Sequence, residues 1–122
     1  MTWQSIDNPC NVLIIEDDDG ARFALGDIFD VEGYTVASSS NGQEALDYLR
    51  NAPSPDVIIL DLQMPVMDGW QFRREQKKDR RLAKVPVVVV TAFGAPTNID
   101  AAAILQKPVD VEELLGVVRH YC

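Results

Sequence analysis

Short, continuously apolar runs alternate with amphipathic segments along this chain. The clearest runs are Val12–Ile15, Val57–Leu60 and Val87–Val90, and Tyr34–Ser38 and Ile104–Gln106 are weaker strand candidates. Short runs without polar interruption are typical of strands that are covered on both faces of a parallel sheet. The pattern therefore predicts five strands, and the three continuous runs are the most deeply buried.

Between these runs, apolar residues recur at helical spacing. The predicted helices are Ala21–Val31, Gly42–Arg50 with Asn41 as its N-cap, Gly69–Arg81 and Asp110–Tyr121. Strands that alternate with helices predict an α/β fold with a doubly wound parallel five-stranded sheet and helices on both faces.

Length and composition are those of one globular domain. The chain has 122 residues, of which 47% are hydrophobic and 25% charged, and no apolar run approaches the roughly 20 residues of a membrane span. We expect residues 1–122 to form a single domain with a core from about 11 to 121. Met1–Cys10 lacks the basic start and apolar stretch of a secretory signal, so we expect a cytoplasmic location. In such a compartment Cys10 and Cys122 are expected to be free thiols, with a disulfide as the alternative.

Charge is unevenly distributed along the chain. The segment Arg73–Lys84 carries seven basic and two acidic residues, a net charge of +5, although the whole chain carries −8. Such a segment is most often a solvated helix face. The functional alternative is a docking surface for an acidic partner, or weak attraction to nucleic acid. Because the chain contains no base-reading motif, we do not predict direct nucleic-acid recognition.

Polar side chains with complementary chemistry follow the predicted strands. Glu16 and Asp17 follow the first strand, Asp61 the third and Thr91 the fourth, and Lys107 follows the fifth. In a parallel sheet the carboxyl ends of the strands form the edge at which ligands bind. Each of these residues alone is more often a turn or cap residue. Together they predict one site with three carboxylates, a hydroxyl and an amine.

This set of groups suits phosphoryl transfer. Close carboxylates repel one another unless a cation lies between them, and Mg²⁺ binds carboxylates, waters and phosphate oxygens together. An ionised aspartate can attack a phosphoryl group, while a metal, a lysine and a hydroxyl neutralise the phosphoryl oxygens. The two remaining acids of the run, Asp18 and Asp19, are assigned to a solvated loop and to the start of the first helix.

Four segments carry a resemblance to a known family. VLIIEDDDGAR, VIILDLQMPVMDGW, VVVVTA and LQKPV closely resemble the signature segments of response-regulator receiver domains, and the resemblance extends from about Asn11 to the end of the chain. It implies a (βα)₅ fold with strand order 2-1-3-4-5. It also implies a phosphoprotein of a two-component or phosphorelay system, with a sensor histidine kinase or histidine phosphotransfer protein as its partner. Such a domain depends on Mg²⁺, for which Mn²⁺ substitutes, and it is a monomer or weak dimer.

The resemblance assigns roles to individual residues. Asp61 matches the phosphoacceptor and also contacts the metal, Asp17 matches a direct metal ligand, and Glu16 acts on the metal largely through water. Gln63 matches the position whose backbone carbonyl completes the metal shell. A receiver domain is a signalling domain and not an enzyme, although it contributes to its own phosphorylation and slow autodephosphorylation.

The resemblance also covers the last two strands. Thr91 matches the switch hydroxyl, and Lys107 matches the lysine that pairs with the phosphoryl group and precedes an expected cis peptide bond to Pro108. Ile104 stands where many receivers have a switch Tyr or Phe, so an aromatic rotamer change is excluded there. Phe93, two positions after Thr91, is predicted to shield the acyl phosphate from water and to slow its hydrolysis.

The connection between Thr91 and Lys107 is short for the family. Lys107 follows Thr91 by 16 positions, and the missing length falls where a fourth helix is expected. Phe93–Asp100 (FGAPTNID) is too short and too interrupted by Gly and Pro to replace that helix. We predict that the fourth helix is shortened or missing, and that apolar surface remains uncovered over the fourth and fifth strands.

Two other functions are compatible with parts of this pattern. One is a constitutive interaction module on the same fold, which would not respond to an acyl-phosphate analogue with Mg²⁺. The other is a small hydrolase of the phosphatase type, which normally has a second acid two residues after its nucleophile. Gln63 occupies that position, so the hydrolase is the weaker alternative. The chain is expected to act either as a stand-alone regulator or as a piece of a larger protein.

Overall fold

The predicted strands form one parallel sheet in the computed structural model, which describes residues 10–92, 94 and 98–122. The strands are β1 (Asn11–Ile15), β2 (Thr35–Ser39), β3 (Val57–Leu60), β4 (Val87–Thr91) and β5 (Ala103–Gln106). Their order is β2-β1-β3-β4-β5, and every neighbouring pair is parallel. The predicted fold class is therefore confirmed.

Helices cover both faces of this sheet. They are α1 (Asp19–Val31), α2 (Gly42–Arg50), α3 (Gly69–Lys78), α4 (Arg80–Ala83) and α5 (Val111–Tyr121). Alternate strand residues point to opposite faces, so one core cluster joins the sheet to α2, α3 and α4, and the other joins it to α1 and α5. In the part of the chain that the structure describes, no helix is long and apolar enough to cross a membrane.

The predicted helix Gly69–Arg81 is interrupted in the structure. Helix α3 ends at Lys78, and Asp79 adopts an extended conformation and caps α4 by accepting a hydrogen bond from the Arg81 amide. Between the two helices, the fully buried Gln76 donates hydrogen bonds to the carbonyls of Leu82 and Val85 at 2.9 and 3.2 Å. A buried amide with these partners fixes the bend, and the charge pattern did not predict it.

The connection between β4 and β5 contains no helix within its described residues, 94 and 98–102, which agrees with the predicted loss of the fourth helix. The expected exposed apolar surface, however, is wrong. Val89 of β4 is completely buried, and Ile99 and Ala101 pack against the same core cluster as Val89. Two apolar side chains of a non-helical segment therefore cover part of the sheet that we expected to be bare.

Part of the basic segment holds this connection in place. Arg73 donates a hydrogen bond to the Asp100 carbonyl at 3.0 Å, and the Asp100 carboxylate lies 3.0 Å from the Lys77 ammonium. Further along the segment, Arg81 donates to the carbonyls of Leu49 and Ala52. At least these basic side chains therefore have intramolecular partners, which favours a structural contribution from the segment.

The two cysteines are joined, which contradicts the expectation of free thiols. Cys10 and Cys122 form a disulfide with their Cα atoms 5.7 Å apart, a separation typical of disulfides. Helix α5 follows β5 and returns along the sheet, so Cys122, directly after the helix, meets Cys10, directly before β1. The compartment argument considered only how often thiols are paired and could not include this proximity.

Candidate functional site

The site is built from residues that follow the strands at the carboxyl edge of the sheet. Ile15 of β1 pairs with Leu60 of β3, and the Asp61 amide donates to the Ile15 carbonyl at 3.0 Å. This register brings Glu16 and Asp61, the residues directly after the two strands, side by side. The acidic side chains predicted from the strand ends therefore do converge.

The three predicted carboxylates form one cluster. One oxygen from each of Glu16, Asp17 and Asp61 lies within 4.8 Å of the other two. Glu16 is only 2% exposed and Asp61 7% exposed, whereas Asp17 faces solvent. Two buried acids and one exposed acid at this spacing could hold a metal ion, and the exposed side leaves room for water or a phosphoryl group.

Lys107 provides the positive charge at this cluster. Its ammonium donates a hydrogen bond of 2.8 Å to Glu16 and lies 3.9 Å from a carboxylate oxygen of Asp61. Burial alone would lower the pKa of Lys107, but the hydrogen bond to Glu16 and the charges of the acids raise it above its ordinary value. The lysine is therefore charged and offsets part of the repulsion among the carboxylates.

The environment of the two aspartates raises the pKa of both carboxyl groups in the metal-free protein. Burial, followed by the charge of Glu16, raises the pKa of Asp61 to about 6, although Lys107 opposes this rise. Burial and the neighbouring Glu16 also raise the pKa of Asp17. A divalent cation would stabilise both aspartates in their ionised forms, so the electrostatics of the cluster suit a metal site.

Thr91 adds a hydroxyl at the same edge. It ends β4, is completely buried, and its Oγ1 atom has no hydrogen-bond partner among the described residues. Its carbonyl accepts a hydrogen bond from the Lys107 amide at 2.8 Å, and the Lys107–Pro108 peptide bond is cis, as expected. A buried hydroxyl without a partner at this position suits a ligand with acceptor oxygens.

The start of α3 lies close to the backbone of Asp61 and Leu62. This close approach occurs at a glycine that the sequence pattern did not indicate. A Cβ atom at Gly69, the first residue of α3, would lie 2.6 Å from the Asp61 carbonyl oxygen and 2.8 Å from the Leu62 Cα atom. Only glycine permits this approach without a shift of the backbone. The Asp68-Gly69 pair at the start of α3 is the signal that could have indicated it.

A strained turn lies in the same segment. Val66 has a φ of 70°, and the Met67 amide donates to the Pro65 carbonyl at 2.8 Å, which closes a γ-turn. A β-branched residue in this conformation is rare and costs about 1–3 kcal/mol.

The side chain of Gln63, a residue that was assigned to the metal shell through its backbone carbonyl, is exposed in the connection between β3 and α3.

The remaining sequence predictions for the site have mixed outcomes. Asp19 begins α1 and Asp18 is an exposed residue before it, both as predicted, and the Asp18 carboxylate also caps α1 by accepting a hydrogen bond from the Ala21 amide at 2.8 Å. Ile104 is half-buried in β5 and pairs with Val89. Phe93 lies outside the described residues, so its predicted shielding of the site stays a prediction.

Comparison with known proteins agrees with this geometry. The sequence profile of the family described as "Response regulator receiver domain" matches residues 12–119. The chain belongs to the response-regulator receiver family. The receiver domain is 30% identical over 119 residues to the polar-differentiation response regulator DivK of Brucella anthropi, covering 93% of this chain and 96% of DivK.

Two other proteins place the receiver domain in two-component signalling. It is 30% identical over 116 residues to sporulation initiation phosphotransferase F of Bacillus subtilis, covering 90% of this chain and 91% of that protein. Its fold matches the solved receiver domain of a signal transduction histidine kinase from Syntrophus aciditrophicus, with a TM-score of 0.85 and 30% identity. That match covers 92% of this chain and 89% of the other.

Proposed function

We propose that this receiver domain accepts a phosphoryl group on Asp61 in a Mg²⁺-dependent reaction. The observation that carries the proposal is the position of Asp61, which is nearly buried, lies against Glu16 and Asp17, and is 3.9 Å from the ammonium of Lys107. The cluster offers a nucleophile, a cation and a set of metal ligands within one small volume.

The transfer proceeds from a phosphohistidine of the partner. A carboxylate oxygen of Asp61 attacks the phosphorus atom, and the bond between phosphorus and the imidazole nitrogen breaks with its electron pair going to that nitrogen. A proton on the second ring nitrogen lets the imidazole leave as a neutral molecule, and Asp61 carries an acyl phosphate.

The other residues stabilise charge during this step. Glu16, Asp17 and Asp61, with the Gln63 carbonyl, would hold Mg²⁺, which supplies positive charge to the phosphoryl oxygens when bound. Mn²⁺ has the same preference for oxygen ligands and would substitute. Lys107 turns from Glu16 to the phosphoryl group, and the Thr91 hydroxyl, which lacks a partner, donates to a phosphoryl oxygen.

The partner class follows from this chemistry and from the relatives. A sporulation phosphotransferase and a receiver domain of a histidine kinase are among the proteins similar to this chain. We propose a sensor histidine kinase or a histidine phosphotransfer protein as the donor, with the receiver switching a protein-interaction surface after transfer. The domain assists its own phosphorylation and slow autodephosphorylation and turns over no separate substrate.

We also propose that the basic segment Arg73–Lys84 is a second binding surface, which docks an acidic partner. The net charge of +5 on this segment supports it, while the internal contacts of Arg73, Lys77 and Arg81 oppose it. Reversing the charge of Lys77 and Lys78 distinguishes a docking surface from a purely structural segment. Binding of the partner that weakens and loses its salt dependence supports docking, and unchanged binding supports a structural segment.

The phosphoacceptor is tested by incubating the wild type and Asp61→Asn with acetyl phosphate and Mg²⁺ and measuring the intact mass. We expect the mass of one phosphoryl group on the wild type, none on Asp61→Asn, and none on either protein in excess chelator. Asp47→Asn, at an exposed acid of α2, is the matched control and is expected to be labelled like the wild type. Equal labelling of Asp61→Asn would refute the assignment.

A further inference from the structure

Arg22 reaches back from α1 to the loop that carries two acids of the site. Its Nη1 atom donates a hydrogen bond of 2.9 Å to the backbone carbonyl of Glu16 and lies 3.5 Å from that of Asp17. Its Nη2 atom forms an ion pair with Asp19, and only 12% of its side chain is exposed. A single guanidinium therefore connects the end of β1 to the beginning of α1.

This arrangement restrains a short segment in which two adjacent carboxylates repel each other. Glu16 and Asp17 are adjacent acids, and the only residue between them and α1 is the N-cap Asp18. Without a bound cation, repulsion between the two carboxylates favours any backbone rotation that separates them. A guanidinium has several donors in one rigid plane, so it can hold a carbonyl and a carboxylate together, which the point charge of a lysine does less well.

The contacts of Arg22 with Glu16 and Asp17 involve the backbone of the two acids and do not use their carboxylates. Glu16 uses its carboxylate oxygens for Lys107 and for the Asp18 amide, at 2.8 and 3.0 Å. The arginine therefore does not compete with a metal for its ligands. It restricts the main chain from which those ligands project, and restricting ligands before binding raises affinity because less order has to be created on binding.

We propose that Arg22 is a positioning residue for the metal site: by fixing the main chain at Glu16 and Asp17, it keeps both carboxylates in place beside Asp61. This inference rests on the proposed Mg²⁺-dependent function. Groups that orient metal ligands typically change metal affinity by 10- to 100-fold when they are removed. Arg22 acts on two acids through their backbone, so we expect an effect of about tenfold, at the lower end of that range.

The test measures the Mg²⁺ dissociation constant of the full chain by isothermal titration calorimetry. Arg22→Met is expected to bind Mg²⁺ about tenfold more weakly than the wild type, and Arg22→Lys to fall between the two. Arg50→Met is the matched control, because Arg50 forms the same i,i+3 ion pair with Asp47 at an exposed surface of α2. Its Mg²⁺ affinity is expected to equal that of the wild type.

A second readout separates positioning from general destabilisation. In the metal-free protein, the hydrogen-bonded amides of Glu16 and Asp18 are expected to exchange hydrogen faster in Arg22→Met, while amides in β3 and β4 keep their wild-type protection. Loss of protection throughout the sheet would instead indicate a structural role and would overturn the inference. If Arg22→Met does not fold, Arg22→Lys decides the question, since a Mg²⁺ affinity equal to that of the wild type refutes positioning.

The two proposals fail in different ways. A wild-type chain that does not bind Mg²⁺ refutes the proposed function. A wild type that binds Mg²⁺, together with an Arg22→Met variant of equal affinity, refutes only the positioning by Arg22.

Discussion

Lys107 donates a hydrogen bond of 2.8 Å to Glu16, a residue 91 positions earlier in the chain. The bond joins the end of β5 to the end of β1 across the carboxyl edge of the sheet. It also places the ammonium 3.9 Å from Asp61, so one cation offsets the charge of two buried acids. The stability of the site and its acid–base behaviour should therefore both depend on Lys107.

Replacing Lys107 with Met is expected to lower the free energy of unfolding by about 1–3 kcal/mol. Removing one partner of a fully buried pair costs about 3–5 kcal/mol, and solvent screening reduces the cost here because 34% of the lysine side chain is exposed. The same change should raise the pKa of Asp61 further above about 6, since Lys107 opposes the rise. Urea unfolding and a carboxylate titration by NMR measure the two effects.

Lys78→Met is the control for this change, because Lys78 forms an ion pair of the same 2.8 Å length with Glu75 on an exposed face. Its effect on stability should be near zero. If the two variants lost the same free energy of unfolding, the contacts of Lys107 with Glu16 and Asp61 would contribute no more than an exposed ion pair, which would contradict the prediction.

The raised pKa of Asp61 predicts an unusual dependence of stability on pH. Its pKa is about 6 in the folded protein and 3.8 in the unfolded chain, so the folded state prefers the protonated form. The stability that this preference contributes is present below pH 4 and is lost as pH rises through 6. The loss amounts to about 3 kcal/mol in the metal-free protein.

Asp61→Asn cannot ionise and should escape this loss. We expect it to be more stable than the wild type at pH 7.5 in chelator and close to the wild type near pH 4, as measured by urea unfolding. Adding Mg²⁺ should narrow the difference at pH 7.5, because only the wild type keeps the full set of carboxylates. A difference that does not change with pH would contradict the prediction.

The hydroxyl of Thr91 is buried without a partner among the described residues, so replacing it with the similarly shaped Val should not destabilise the metal-free protein. A gain of up to about 1–2 kcal/mol is expected, since an unpaired buried polar group carries a desolvation cost. The variant should nevertheless respond less to Mg²⁺ with beryllofluoride, an acyl-phosphate analogue, in its NMR spectrum. Thr35→Val is the control, because the exposed Thr35 side chain at the start of β2 is already solvated.

Reduction of the Cys10–Cys122 disulfide should destabilise the folded protein. The bond closes a loop with a sequence separation of 112, and a loop of about 100 residues gains up to about 4.7 kcal/mol from the restricted unfolded chain. The urea midpoint should therefore fall when a phosphine reductant is added. A Cys10→Ser/Cys122→Ser variant should have the same urea midpoint as the reduced protein, and the reductant should not change that midpoint. Two alkylatable thiols in the untreated, non-reduced protein would contradict the disulfide.

The ion pairs of Asp100 predict local order in the connection before β5. Its hydrogen bond to Lys77, together with the charges of Lys77 and Arg73, lowers the pKa of Asp100. Asp100→Asn should speed hydrogen exchange at residues 98–102 and leave the central strands unchanged, and the effect should shrink at high salt because Asp100 is exposed. Asp47→Asn, which removes the exposed Asp47–Arg50 pair, should leave 98–102 unaffected.

Local signals were sufficient for most elements of the fold. Strand β3 and helix α2 have the predicted bounds, Val57–Leu60 and Gly42–Arg50, because an uninterrupted apolar run and an Asn41 cap mark their limits clearly. Each of the other predicted elements has at least one end that differs by one to three residues from the prediction. Asp79, for example, divides a continuous charged stretch into α3 and α4, since it can cap a new helix.

The candidate site was predictable to a similar extent. Glu16, Asp17, Asp61, Thr91 and Lys107 each follow or end a strand, and parallel strands bring such residues to one edge. The groups that support the site were not predicted. Arg22 contacts the backbone of the acidic loop, and Gly69 lies against the backbone of Asp61. Neither contact can be predicted from the residue pattern, because the pattern does not indicate which backbone atoms a distant residue will contact.

The sequence by itself determined the order of the elements, the parallel sheet and the set of chemical groups at its edge, because periodicity, caps and strand ends are properties of neighbouring residues. Only the tertiary structure decided that Cys10 meets Cys122, that Ile99 covers part of the sheet that was expected to be bare, and that Lys107 lies against Glu16. Those contacts depend on the path of the chain between distant residues, and that path is set by the packing of the whole core.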